Sequence, residues 1–126
     1  MKRIYVAGAY SDDNVLNVLA NIGRGEYYAS QLFMSGFAPF TPWHDKDFVI
    51  KNWNKTFSVE MFYLYSLAWL QVSDGVFVVP NHLYLKNWEE SQGTLREIEE
   101  ANKLKIPIFH DFMSLYAYKW EKGDAR

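Results

Sequence analysis

The segment SQGTLREIEEANKLKIPIF (residues 91–109) sets a serine, a glycine and a glutamate at Ser91-x-Gly93-x-x-x-Glu97, where a polar stretch gives way to a helical pattern. A carboxylate near a helix N-terminus, at the border of the apolar stripe, is shielded from water yet favoured as an anion by the helix dipole. That environment suits a carboxylate nucleophile. Gly93 lets a ligand come close to the backbone, and Ser91 beside unpaired amides suits a phosphate. The competing reading is structural: Thr94-x-x-Glu97 is a capping box, in which the threonine caps the helix and the glutamate returns to its N–H. Glu97, Ala101 and Leu104 share one face by spacing, and the main apolar stripe runs through Leu95, Ile98 and Ala101. Arg96, Glu99, Glu100 and Lys103 are then left to solvent.

Other chemistries are excluded by composition. There is no cysteine, hence no thiolate nucleophile, thiolate metal site or disulfide. His44, His82 and His110 share no metal-ligand spacing, so neither a metal nor another cofactor is expected. AGAYSDD lacks the G-x-G-x-x-G dinucleotide fingerprint. The net charge of −2 offers no basic footprint for polymeric nucleic acid. A small-molecule nucleotide or nucleoside needs only a local site, and an aromatic share of 18% supplies rings that stack on a base. MKRIYVAGAYSDD is too short and too acidic at its end for a signal peptide or a membrane span, so a cytoplasmic protein without membrane contact is expected.

The elements that must position these residues alternate. A buried strand is predicted over 3–9, then a helix over 17–35 through Leu19, Ile22, Ala29 and Phe33, closed by Gly36 as C-cap glycine. A strand over 36–42 runs into a loop over 43–57 with room for a helical turn. A helix over 58–72 is apolar almost all round and is expected to pack on several sides. Strand 74–80, the helix entered at 91–97, strand 106–109 and a last helix over 111–120 complete one domain, 1–126. This alternation predicts a doubly wound α/β fold with a parallel sheet of about four to five strands. Ligands then bind beyond the strand ends, where Gly8 to Tyr10, Thr41 to Asp45, Val79 to Asn81 and Ser91 to Glu97 converge on one rim.

The order of these motifs resembles the nucleoside 2-deoxyribosyltransferase superfamily. The resemblance covers most of the chain: KRIYVAGAY, the N-x-x-R helix start (Asn21, Arg24), SGFAPFTPWH, SLAWLQVSDGVFVV and S-x-G-x-x-x-E before A-x-x-x-x-I-P-I. It is strongest towards small deoxynucleoside 5′-monophosphate N-glycosidases. What it implies is a nucleophilic Glu97 that attacks C1′ and expels the base, a Tyr5 beside it, and a Ser91 that contacts the 5′-phosphate. The family has an aspartate where this chain has Ser66, and a serine is no general acid near neutrality. Asp45 and Asp47 are the candidates to replace it. Trp43 and His44, at a strand end, are expected to stack on or hydrogen-bond the base, and Arg24 to reach a phosphate. Asp12 and Asp13 would repel a phosphate placed at the first loop. The expected enzyme is an N-glycosidase of nucleoside monophosphates; the alternatives are a base-exchanging transferase and a non-catalytic nucleotide-binding protein. Relatives complete their sites across a homodimer, and the aromatic C-terminus (Phe112, Tyr116, Tyr118, Trp120) is the surface expected to pair.

Overall fold

The computed structural model describes residues 1–120. Strands β1 (Arg3–Ala7), β2 (Ala38–Phe40), β3 (Gly75–Val78) and β4 (Ile108–Phe109) form one sheet in the order β2-β1-β3-β4, all parallel. Helices α1 (Val15–Met34), α2 (Asp45–Lys51), α3 (Val59–Leu70), α4 (Gln92–Lys103) and α5 (Phe112–Ala117) connect and cover it. This is the doubly wound α/β fold that the alternation predicts. The direction of winding reverses between β1 and β3, so the carboxyl ends of those two strands frame the crevice where such sheets hold ligands.

Side chains alternate across β1 and β3 with the strand period of two. Ile4, Val6, Phe77 and Val79 face a core shared with Ile22, Ala29 and Leu32 of α1 and Leu115 of α5. Tyr5, Ala7, Val76 and Val78 face the opposite core, with Leu70 of α3 and Ala101 of α4. Tyr5 therefore lies on the same side of the sheet as Glu97.

Asn14 caps α1 by accepting from Leu16 N at 2.8 Å. At the other end Gly36 takes φ +93°, Gly36 N donates to Phe33 O and Phe37 N to Leu32 O. That pair of bonds is a Schellman motif, and it is why a residue without Cβ stands at Gly36.

Two expectations need correction. Residues 43–57 hold more than a loop, because a 3-10 turn over Pro42–His44 leads directly into α2. Seven residues carry too little periodicity to announce a helix. Next, α3 is not packed on several sides: only Leu70 is buried, while Met61, Leu64 and Trp69 are 52%, 61% and 47% exposed. The sheet covers one face of this helix, and Arg96 over Tyr63 and Phe48 against Tyr65 flank it, while Met61 and Leu64 stay open. The C-terminal aromatics make ring contacts within the chain. Phe112 stacks on Phe77 at 4.9 Å, Tyr116 stacks on Phe37, and Tyr118 and Trp120 both lie against Phe109. Phe112 and Trp120 pack against the α1–α5 core, while Tyr116 and Tyr118 remain 51% and 39% exposed. Among the described residues no helix is long and apolar enough to cross a membrane.

Candidate active site

Ser91, not Thr94, caps α4. Its Oγ accepts from Thr94 N at 3.3 Å and from Thr94 Oγ1 at 3.0 Å. The capping box therefore does not form, and Glu97 falls in the second turn, free of the role that reading gave it. The buried face of α4 runs through Thr94, Glu97 and Ala101, whereas Leu95 is 38% exposed. Glu97 stands in the middle of the buried stripe, not at its border.

There it meets Tyr5 and Asp45. Glu97 is 8% exposed and its Oε2 has no hydrogen-bond partner; nor does the Tyr5 hydroxyl, although the two groups are close enough to perturb each other's ionisation. Burial pushes the Glu97 carboxyl up to about 7, the Asp45 charge adds to the rise, and the Tyr5 hydroxyl opposes it. Tyr5 is held well above the ordinary phenol value, first by burial and then by the Glu97 charge, with Ser66 beside its hydroxyl pulling the other way. A buried polar atom left without a partner costs about 1–3 kcal/mol. Such an atom asks for a functional account.

Asp45 opens α2 and is buried. It accepts from Tyr10 Oη at 3.4 Å, and burial raises its pKa. The Tyr10 phenol is itself pushed up to about 12, by burial and then by Asp45. Asn21 donates to Tyr10 O at 3.2 Å, which ties the loop after β1 to α1 and fixes that tyrosine. Asp47, by contrast, is exposed beside Lys46 at 3.5 Å and does not reach the cavity.

A cavity of about 460 Å³ opens at the carboxyl ends of β1 and β3. Gly8, Asp45, Ser66, Ser91, Gly93 and Glu97 all line it, six residues that the sequence singles out. At Gly93 an added Cβ would lie 3.8 Å from Tyr63 Oη, so the protein does not occupy the space there. Sequence reasoning missed Phe62, Tyr63 and Lys86, which line the same cavity with Tyr10 of the predicted rim. A signal for two of these existed: Phe62 and Tyr63 stand four and three residues before Ser66, on one face of α3. Lys86 sits in an aperiodic loop that gives no such signal.

Three predicted residues lie elsewhere. Trp43 is buried against α1, its Nε1 donating to Glu26 Oε1 at 2.7 Å. Its ring covers Gly25 so closely that a Cβ there would lie 2.3 Å from it. The 3-10 turn swings Trp43 under the helix and away from the cavity. His44 Nδ1 pairs with Thr41 Oγ1 at 3.1 Å and does not line the cavity. Arg24 does not line it either; its Nε and Nη1 are buried without a partner, and burial lowers its pKa.

Residues 81–88 bridge from β3 towards α4, closed at their base by one side chain. Asn81 Nδ2 donates to Glu89 Oε1 at 2.9 Å, and its Oδ1 accepts from Trp88 N at 2.9 Å. The loop that carries Lys86 is thereby stapled beside the cavity.

A solved structure of a 2-deoxyribosyltransferase from the psychrotolerant bacterium Bacillus psychrosaccharolyticus covers 94% of this chain and 93% of its own, with a TM-score of 0.57 and 15% identity. The chain has the 2-deoxyribosyltransferase fold. No family model matches the sequence, and no curated protein does. On this fold the cavity lies at the strand-order reversal, with α4 and its buried glutamate on one wall and α2 with Asp45 on another.

Proposed function

We propose that the protein hydrolyses the N-glycosidic bond of (deoxy)nucleoside 5′-monophosphates, with Glu97 as nucleophile. One observation carries this: a buried carboxylate oxygen without a partner lines a cavity of mononucleotide scale, next to a second buried carboxyl.

The reaction follows the logic of a retaining glycosidase. Glu97 attacks C1′, the C1′–N bond breaks, and its electron pair leaves with the base. Asp45 gives its proton to that base, which is the task the family leaves to the aspartate replaced here by Ser66. Water then attacks C1′ of the glycosyl ester, returns a proton to Asp45 and frees the Glu97 carboxylate. Tyr5 positions Glu97 from beneath, and Phe62 with Tyr63 supplies rings against which a base can lie. Both lone pairs of Ser91 Oγ are taken by Thr94, so its own proton remains to be donated to a phosphate oxygen.

The fold likeness to a 2-deoxyribosyltransferase favours a second reading, in which another base takes the place of water. A homodimer is part of the proposal: Val59 lines the cavity while Met61, Leu64 and Trp69 of the same helix are exposed, so a second copy seated on α3 would both bury them and border the site.

The test is base release, followed by chromatography, from a panel of ribo- and deoxyribonucleoside 5′-monophosphates and free nucleosides. Release by the wild type and not by Glu97→Ala is expected. Suppressed hydrolysis with a new nucleoside when a second base is added would mark a transferase. Binding without release from any substrate would overturn the enzymatic reading and leave a nucleotide-binding protein.

A further inference from the structure

The cavity has an ionic gradient that the reaction alone does not explain. Its buried end holds the carboxyls of Glu97 and Asp45; its open end holds Lys86 and Glu90. Among the described residues Lys86 is the single cationic side chain on the lining. It is half-buried, and among the described residues no carboxylate comes within ion-pair distance of it. Asp12 accepts from Asn14 N at 2.8 Å and from Asn17 Nδ2, and Glu89 accepts from Asn81, while Asp13 and Glu90 line the same mouth without an ion pair to Lys86. Arg24, the cation that the sequence offers for a phosphate, is not on the lining.

A dianion entering a cavity that already contains three carboxyls meets net repulsion unless a cation receives it. With the scissile bond at the buried end, the substituent that projects to the open end is the one furthest from C1′ and the base. We propose that Lys86 is the phosphate-recognising residue of the site: it pairs with the 5′-phosphate at the mouth, together with the spare Ser91 proton, and so selects monophosphates over free nucleosides. Asn81 is its positioning residue, because its two hydrogen bonds hold the 81–88 loop closed. Glu90, beside it, sets the strength of the attraction. This rests on the proposed nucleotide substrate but not on the nucleophile.

Binding decides it independently of turnover. Affinities of full-length wild type, Lys86→Ala, Lys86→Arg and Glu90→Gln are measured by calorimetry for a deoxynucleoside 5′-monophosphate and for the matching nucleoside, at two salt concentrations. Lys86→Ala is expected to weaken the monophosphate by about tenfold or more and the nucleoside by less than about twofold, as loss of one charge-assisted bond requires. Lys86→Arg should restore most of the loss, Glu90→Gln should tighten the monophosphate, and added salt should weaken only the phosphorylated ligand. Equal weakening of both ligands, or an unchanged monophosphate affinity in Lys86→Ala, overturns the proposal. So does wild type that fails to bind the monophosphate. In the first two cases base release lost only with Glu97→Ala would still stand, whereas a wild type that binds no monophosphate removes both readings.

Discussion

Two buried carboxyls facing one cavity do not titrate as separate groups. Asp45 raises Glu97, so Glu97 holds the shared proton most of the time, and the active form proposed here is the minor arrangement with charge on Glu97 and the proton on Asp45. Activity is therefore expected to fall as pH rises through about 7, where the pair loses its last proton. In Asp45→Asn the high-pH limb should vanish: the rate drops by about 10²-fold or more, as loss of a general acid does, and then rises with pH as Glu97 ionises alone. A pH–rate profile of both proteins checks this. Glu97 also bears on stability. Its folded pKa is raised from 4.5 to about 7, so the folded state holds the proton more tightly and stability falls as pH rises between those values. The shift corresponds to roughly 3 kcal/mol at most. Glu97→Gln should lose activity yet melt higher than wild type at pH 8, with the difference shrinking towards pH 4.5; thermal melts at the two pH values decide. The sequence discloses Glu97 and Ser91 because a helix entrance locates them, and Tyr5 through the family resemblance. It misplaces Trp43 because the space that receives its ring is made by Gly25, eighteen residues earlier on another element.

Each element reveals a different balance of local and distant causes. α1 was legible at its C-terminal end, where Gly36 acts through bonds within a few residues, while its start lies two residues before the predicted one, at the Asn14 cap. Gly25 in its interior is the exception. A glycine inside a helix costs about 1 kcal/mol relative to alanine, yet Gly25→Ala would drive a Cβ into Trp43 at 2.3 Å. The clash should outweigh the gain in helix propensity and destabilise by about 1–3 kcal/mol, read as a lowered denaturation midpoint. A smaller ring, in Gly25→Ala combined with Trp43→Phe, should recover part of the loss. The cap of α4 was misread for a simpler reason: Ser91 and Thr94 are both good caps, and only the coordinates show that the earlier one begins the helix.

At the scale of the molecule, the parallel sheet and its order follow from strand–helix alternation and right-handed crossovers, which is why the fold was legible throughout. The exterior was not. A helix as apolar as α3 reads as buried, and within one copy it is not; pattern records that a face is covered without recording by what. The homodimer proposal accounts for the discrepancy. Light scattering should give twice the chain mass, and Leu64→Glu should halve it, with a loss of activity if the second copy borders the cavity. A monomeric wild type would remove this part of the proposal.

The stapling of residues 81–88 by Asn81 has a practical consequence. A loop whose two ends are pinned together by a single side chain can be exchanged as a cassette, because the strand before it and the helix after it do not depend on its contents. Libraries that vary residues 82–87 while keeping Asn81 and Glu89 would reshape the mouth of the cavity and leave the carboxyl pair untouched, which makes this the segment through which new substrates are most readily engineered.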